Sequence, residues 1–186
     1  FYKMPEPNEG DVFYDIEGFP QAVQRPFEYL HGIYFYNGKE FEFKDFIVKE
    51  YTKKEEERIF RELVAFLEKH FNKYPNAFLY HYNVYEKRAL RELASDYSTT
   101  FIKGNNFVDK LLRLEKFVDL YRVVSRCMQT SEKDLTLKSI EKFYRDERSA
   151  DIKTANDSIR IFESWLVTKN KKDLEDIIFY NEEDCI

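Results

Sequence analysis

Asp15 and Glu17 stand two residues apart in Asp11-Val12-Phe13-Tyr14-Asp15-Ile16-Glu17-Gly18. The apolar and aromatic neighbours predict a strand, and side chains two apart on a strand leave the same face. Two carboxylates on one face of a core strand repel, and burying them is costly. A divalent cation between or beside them removes that cost, so the pair predicts the floor of a metal site. The spacing alone is common in a chain with 35 acidic residues, and Asp173-Leu174-Glu175 repeats it. That second copy falls in a helical stretch, where residues i and i+2 do not share a face.

Two further stretches supply partners. Leu174, Ile177 and Ile178 mark the apolar stripe of a C-terminal helix, and the stripe continues to Asn181 and Asp184. Tyr180 lies one turn before Asp184, so a phenol and a carboxylate share a face. In the middle of the chain, Ala77 to Tyr80 is the short apolar run of a buried parallel strand. It leads into His81-Tyr82-Asn83-Val84-Tyr85-Glu86. Asn83 and Glu86 read there either as an N-cap and its capping-box partner or, for Glu86, as a carboxylate facing the cleft of Asp15. Phe19 could stack on a terminal base, and Lys138, near a helix start, could meet a phosphate. The plainer readings are packing for Phe19 and surface for Lys138. His81 reads as a structural histidine and Asp119 as an N-cap.

The elements that must position these groups follow from periodicity. Gly18-Phe19-Pro20 stops the acidic strand, and residues 21–27 read as a loop. Tyr29 to Tyr36 is a second strand, Asn37-Gly38 a hairpin turn, and Phe41, Phe43 and Phe46 lie on a third, antiparallel strand. Thr52 caps a helix from Lys53 to Phe71, with Glu55 completing a capping box. Pro75-Asn76 turns the chain into the Ala77–Tyr80 strand, and a helix through Leu90 and Leu93 follows. Residues 96–106 read as a loop broken at Gly104-Asn105-Asn106, with a short helix over Val108–Leu114. Phe117-Val118 is a brief strand. Helices then run from Asp119 to Met128, Leu135 to Tyr144, Asp157 to Val167 and Lys172 to Cys185, with a charged connection over 145–155. The order βββ-α-β-α, then mostly helices, predicts an α/β fold: a mixed sheet flanked by helices.

Composition narrows the classes. The 186 residues suffice for one domain with a sizeable core. With 43% hydrophobic and 18% aromatic residues the chain is too apolar for disorder. No run approaches the roughly 18 apolar residues of a membrane span, so no membrane partner is expected. The net charge of −5 argues against a broadly basic, non-specific nucleic-acid binder. It leaves room for an enzyme that holds a polyanion through metal ions and a local basic patch. Cys127 and Cys185 offer neither a disulfide framework nor metal-ligand spacing, which places the chain in a reducing cytoplasm. The start at Phe1-Tyr2-Lys3 shows no signal-peptide pattern and suggests a single domain, residues 1–186, excised from a longer multidomain protein.

Taken together, the three stretches resemble the DEDD exonucleases of the ribonuclease H-like superfamily, which include the proofreading domains of DNA polymerases. That family carries Asp-x-Glu on its first strand, matched by Asp15 and Glu17. An aromatic-acid pair after a buried strand is matched by Tyr85-Glu86. The last motif, Tyr-x-x-x-Asp, is matched by Tyr180 and Asp184, the one such spacing among 14 tyrosines, as in the tyrosine subclass. The wording Phe-Tyr-Asp-Ile-Glu-Gly, Tyr-His-Tyr-Asn-Val-Tyr-Glu, Leu-Lys-Ser-Ile-Glu and Tyr-Asn-Glu-Glu-Asp-Cys is similar to the RNase H-like domain of predicted RecB-family nucleases, where the domain is part of a larger protein, sometimes beside a helicase. In most DEDD enzymes the middle acid is Asp; here it is Glu86, one methylene longer, at a position where octahedral Mg²⁺ tolerates little displacement.

The resemblance implies a ribonuclease H-like sheet, with an antiparallel meander of three strands extended by parallel ones, and a metal-dependent 3′-to-5′ exonuclease. Two Mg²⁺ or Mn²⁺ ions about 4 Å apart would clamp the scissile phosphate. Asp15 would touch both, Glu17 and Asp184 would hold the ion that activates water, and Glu86 would bind the other. Tyr180 would orient the water, since a phenol with a free pKa near 10 is a poor base at neutral pH. Expected partners are a DNA or RNA 3′ end and other domains of the parent chain, including a RecB-like nuclease or helicase. A structure-selective endonuclease on the same fold is the alternative within enzymes. A catalytically silent nucleic-acid- or partner-binding module is the alternative outside them.

Overall fold

A computed structural model describes residues 4–20, 25–145, 148, 152 and 154–186. The chain opens with β1 (Val12–Phe19), β2 (Phe27–Tyr36) and β3 (Phe41–Ile47), an antiparallel meander. Then come α1 (Lys53–Lys73), β4 (Leu79–His81), α2 (Tyr85–Asp96), α3 (Ile102–Arg113) and β5 (Phe117–Asp119). Four more helices follow: α4 (Leu120–Cys127), the single-turn α5 (Leu137–Ile140), α6 (Ala155–Thr168) and α7 (Lys171–Cys185). The five-stranded sheet has the order β3-β2-β1-β4-β5, with β4 parallel to β1 and β5 parallel to β4. The expected α/β architecture, an antiparallel meander of three strands extended by parallel strands and flanked by helices, is the one observed.

The sheet is two-sided because β1 alternates. Val12, Tyr14 and Ile16 lie opposite Phe35, Ile33 and His31 on β2 and share one face. α1 covers that face, with Phe66 edge-on to Phe35 at 5.0 Å between centroids. The α1 stripe Ile59, Phe60, Leu63, Val64, Leu67 and Phe71 is buried at i, i+3, i+4 spacing. Each such side chain contributes about 1.5–3 kcal/mol by leaving water. Thr52 accepts from the Glu55 N–H as the N-cap, but the Glu55 carboxylate turns to the Lys49 N–H, so only half of the expected capping box forms. The helix ends at Lys73, before Tyr74-Pro75, since a residue ahead of proline avoids helical angles.

The opposite face of β1 carries Asp15 and Glu17 and lies under α6 and α7. Phe162 of α6 stacks on Tyr29 at 4.0 Å and 8°, and Ile177 of α7 is fully buried. Gly32, paired with Asp15, makes room for α7. A Cβ there would stand 1.8 Å from Asn181 Oδ1 and 2.9 Å from the Phe43 ring.

Several local readings differ from the sequence expectation. β1 does not stop at Gly18: an irregularity between Glu17 and Gly18 lets it pair on to Phe19, opposite Phe27. β2 therefore starts two residues before Tyr29, and of the expected 21–27 loop residues 21–24 lie outside the described residues. The hairpin occupies Asn37–Glu40, with Gly38 at φ 104° and Asn37 Oδ1 accepting from the N–H groups of Lys39 and Glu40. The expected loop over 96–106 is half helix, for α3 begins at Ile102 and passes through Gly104. Gly104 does not break it because its bare backbone receives the Phe101 ring; a Cβ would meet that ring at 2.4 Å. The expected helix from Leu135 to Tyr144 shortens to α5 and a 3-10 turn, Glu141–Phe143. Most of the 145–155 connection lies outside the described residues. Among the described residues no helix is long and apolar enough to cross a membrane.

The close seat of α7 on Gly32 is testable. Gly32→Ala forces the Asn181 amide and the Phe43 ring to move, and overpacking of this kind costs about 1–3 kcal/mol. Urea unfolding of the variant against wild type measures it. A loss under about 0.5 kcal/mol would mean that α7 does not rest on the sheet at this distance.

Candidate active site

Asp15, Glu17 and Asp184 converge: each offers a carboxylate oxygen, and the three oxygens lie within 4.8 Å of one another. Strand alternation supplies the first two and α7 supplies the third. Tyr180 and Asn181 are buried one turn before Asp184 and Cys185, which fixes the rotation of the helix and turns Asp184 to the sheet. A cleft of about 310 Å³ opens over the trio, with Tyr85, Ile159 and Tyr180 in its wall.

Each carboxylate has its own fixings. Asn181 Nδ2 donates to Asp15 Oδ2 at 2.6 Å. Ser158 Oγ and Tyr29 OH donate to Glu17 Oε2 at 2.9 and 3.3 Å, and Tyr29 and Ser158 hydroxyls lie 2.8 Å apart. The Arg148 guanidinium reaches Asp184 Oδ1 at 2.5 Å while its other nitrogens hold Glu141 at 2.6–3.0 Å. Lys138 Nζ donates to the Tyr180 hydroxyl at 2.7 Å and lies 4.5 Å from that ring's centroid. Tyr82, whose hydroxyl donates to the Leu135 carbonyl, ties the segment bearing Lys138 to the end of β4.

The electrostatics reflect burial first and crowded negative charge second. Burial pushes the Asp15 carboxyl well above the carboxylate range, and Asp184, Glu17 and Glu86 push it further. Glu17 rises to about 8, through burial and then Asp184, although its two hydroxyl donors pull the other way. Asp184 is raised by burial and restrained by Arg148. Tyr180 is raised by burial and then by Asp184, so it stays a neutral phenol. Three oxygen donors crowded in a partly dry cleft suit a hard divalent cation such as Mg²⁺ or Mn²⁺, and the donor set therefore fits one.

Glu86 lies outside that convergence. Its carboxylate, 5% exposed, sits 3.4 Å from His81 Nδ1, and burial raises its pKa against the pull of His81. It is near enough for its charge to raise Asp15. The N-cap reading of Asn83 does not hold. Asn83 has φ 78°, its N–H goes to Asp119 Oδ1, and α2 begins after Val84 with no side-chain cap. Glu86 is thus free of capping duty. Asp119 does cap α4, accepting from the Arg122 N–H. Phe19 is not beside the trio: it is buried against Tyr51 and Phe162, the packing role already weighed for it. Lys138 is no plain surface lysine, being about half-buried against Tyr180.

Asn181, Ser158, Tyr29, Glu141 and Arg148 had no assigned role in the sequence. Asn181 stands on the α7 stripe and within the wording Tyr-Asn-Glu-Glu-Asp-Cys, which are its sequence signals. Ser158 acts on Glu17 across 141 residues, a separation that no local pattern reveals.

Comparison with known proteins adds one finding. A family model described as the RNase_H superfamily matches residues 12–186. No curated protein and no solved structure matches the chain.

The raised carboxyls predict a pH signature. A carboxyl with a folded pKa near 8 and an ordinary value of 4.5 stabilises the fold fully below about pH 4.5, and the contribution is lost as pH rises through 8. In EDTA the thermal midpoint should fall between pH 5.5 and 8.5, less steeply in Glu17→Gln than in wild type. Mn²⁺ should raise the midpoint by several degrees at pH 8.5, where the carboxylates ionise, and little at pH 5.5. Equal Mn²⁺ shifts at both pH values would refute the coupling.

Proposed function

Because the chain belongs to the RNase H superfamily, we propose that the cleft over Asp15, Glu17 and Asp184 is the active centre of a metal-dependent nuclease, and that it removes nucleotides from 3′ ends. The observation that carries this reading is the meeting of three carboxylate oxygens within 4.8 Å. The family supports a phosphodiester hydrolase in general. The finer assignment, to the tyrosine subclass of DEDD exonucleases and to the RecB-family type, rests on the wording around Asp15, Glu86, Tyr180 and Asp184. On that wording the domain would work beside other nuclease or helicase domains.

Asp15, Glu17 and Asp184 would hold divalent ions, with Glu86 serving a second ion from the first turn of α2. The chemistry that such ions would supply is a lowered pKa of bound water and neutralisation of charge on the phosphate. The protein's own residues keep the ligands in place. Asn181 fixes the rotamer of Asp15, and Ser158 with Tyr29 fixes Glu17. Tyr180, too weak an acid to act as a base, offers its hydroxyl to orient water, and the Lys138 ammonium holds that hydroxyl. Arg148 and Lys138 place positive charge beside the carboxylates, where a phosphate oxygen can be met.

The test uses 5′-labelled single- and double-stranded DNA and RNA with Mn²⁺ and with EDTA. Wild type should give a Mn²⁺-dependent ladder shortening from the 3′ end. Asp15→Asn and Asp184→Asn should lose at least about 1,000-fold of the rate, and Tyr180→Phe about 100-fold. Internal cuts would replace the exonuclease with an endonuclease. Cleavage by Asp15→Asn at the wild-type rate would remove the site from the chemistry.

A further inference from the structure

A second cleft lies on the other side of the first turn of α2. It has a volume of about 410 Å³ and is lined by His81, Lys87, Arg88, Arg91, Phe117 and Arg122, with Val84 and Asp119. Tyr85 lines the carboxylate cleft and Val84 the second one, so the start of α2 is the wall between them. Lys87, Phe117 and Arg122 also line a neighbouring hollow of about 600 Å³, which extends the same surface.

The charge of this surface is at odds with the rest of the chain. The protein carries a net charge of −5, yet four cationic side chains gather here around one lining carboxylate, Asp119. Their ion pairs are slack. Arg122 to Asp119 is 3.4 Å and Arg88 to Glu92 is 3.8 Å, with both arginines more than half exposed. Pairs of this kind contribute about 0–1 kcal/mol and are readily exchanged. The N-terminus of α2 has no side-chain N-cap, and one carboxylate, Glu86, lies on its first turn. His81 gives an independent sign. It is 3% exposed and lines the cleft; its Nδ1 stands 3.4 Å from Glu86 Oε2, and its Nε2 has no hydrogen-bond partner among the described residues. A buried imidazole left so is costly unless something supplies an acceptor or a donor.

We propose that this basic cleft binds the phosphodiester backbone of the nucleic-acid strand whose reactive bond lies at the carboxylates, with Arg88, Arg91 and Arg122 meeting successive phosphates. The inference deepens the nuclease reading and rests on it for the direction of the strand. Placing the two clefts on either side of the start of α2 separates holding from cutting: cations grip the strand where no metal is needed, and the carboxylates act where Arg148 and Lys138 are already engaged with Asp184, Glu141 and Tyr180. Phe117, partly buried and with Lys87 Nζ 5.6 Å from its ring centroid, lines the same cleft, where its ring would stack on a base once Lys87 turns to a phosphate.

Fluorescence anisotropy of a 5′-labelled single-stranded oligonucleotide in EDTA tests this without cleavage. Arg88→Ala/Arg91→Ala/Arg122→Ala should bind at least tenfold more weakly than wild type. The slope of log K against log salt should shrink by about 2, near 0.7 for each of three lost phosphate contacts on a single strand. A charge-matched control, Lys103→Ala/Arg113→Ala/Lys171→Ala, should bind as wild type does. Undiminished binding by the cleft variant, or an equal loss in the control, would overturn the proposal. So would a wild type that binds no oligonucleotide. Calorimetry with Mn²⁺ alone keeps the two readings apart. A wild type that takes up no Mn²⁺ but shows the predicted cleft dependence loses the metal centre and keeps the strand site. One that takes up Mn²⁺ but holds the oligonucleotide equally without the three arginines keeps the metal centre and loses the strand site.

Discussion

Three carboxyl groups share one corner of the sheet, and much of the structure is arranged to make them do so. At 4 Å, in surroundings of effective dielectric about 20, two full charges repel by roughly 4 kcal/mol. Three such pairs approach the whole stability of a domain, about 5–15 kcal/mol. Burial is the first cause that raises Asp15, Glu17 and Asp184, and the neighbouring carboxylates add to it at Asp15 and Glu17, so protons are held more firmly there. The groups cannot move apart. Two are fixed by the pleat of β1, and the third by a helix whose rotation is set by Ile177, Tyr180, Asn181 and Cys185 in the core.

The three are not held alike. Glu17 is gripped by hydroxyls, which donate without bringing charge, and Asp15 by a carboxamide. Both leave net negative charge for a cation to meet. Asp184 faces the Arg148 guanidinium, itself shared with Glu141. A cation entering beside Asp184 therefore competes with an arginine already in place, whereas the side chains that hydrogen-bond Asp15 and Glu17 are neutral and the Lys138 ammonium acts on Glu17 only through space. On the proposed reading this makes the floor of β1 the firmer part of the metal centre and the α7 side the adjustable part. Gly32 belongs to the same arrangement, since the Asn181 amide reaches Asp15 only over a residue without a side chain.

The parts of this architecture that depend on short-range pattern were legible in the chain. Alternation around Asp15 and Glu17 predicted the strand and its carboxylate face. The stripe from Ile177 to Asp184 predicted which side of α7 is buried. What escaped depended on distant partners. Gly104 reads locally as a breaker, but Phe101 packs onto it and α3 runs through. Asn83 reads as an N-cap, but its backbone N–H is taken by Asp119 at the end of the neighbouring strand, and that bond sets the turn. Ser158, Arg148 and the basic cleft have no local signature, because each is assembled from segments far apart in sequence.

The turn from β4 into α2 joins these threads. The Asp119 bond to Asn83 draws the ends of two parallel strands together and holds Asn83 at positive φ. With Asn83 spent on that turn, α2 starts uncapped and Glu86 falls on its first turn, against His81. A Glu here has one methylene more than an Asp, and part of that reach is used in meeting His81 at 3.4 Å. Tyr85 then faces the carboxylates on one side, while Lys87, Arg88 and Arg91 run along the other. One crossover, tied by the Asn83 N–H to the Asp119 carboxylate, thus sets the fourth carboxylate and the cationic surface together. A strand lying in both clefts would pass over the start of α2, where Glu86 and His81 form a buried pair on one side and Tyr85 donates to the buried Glu28 on the other.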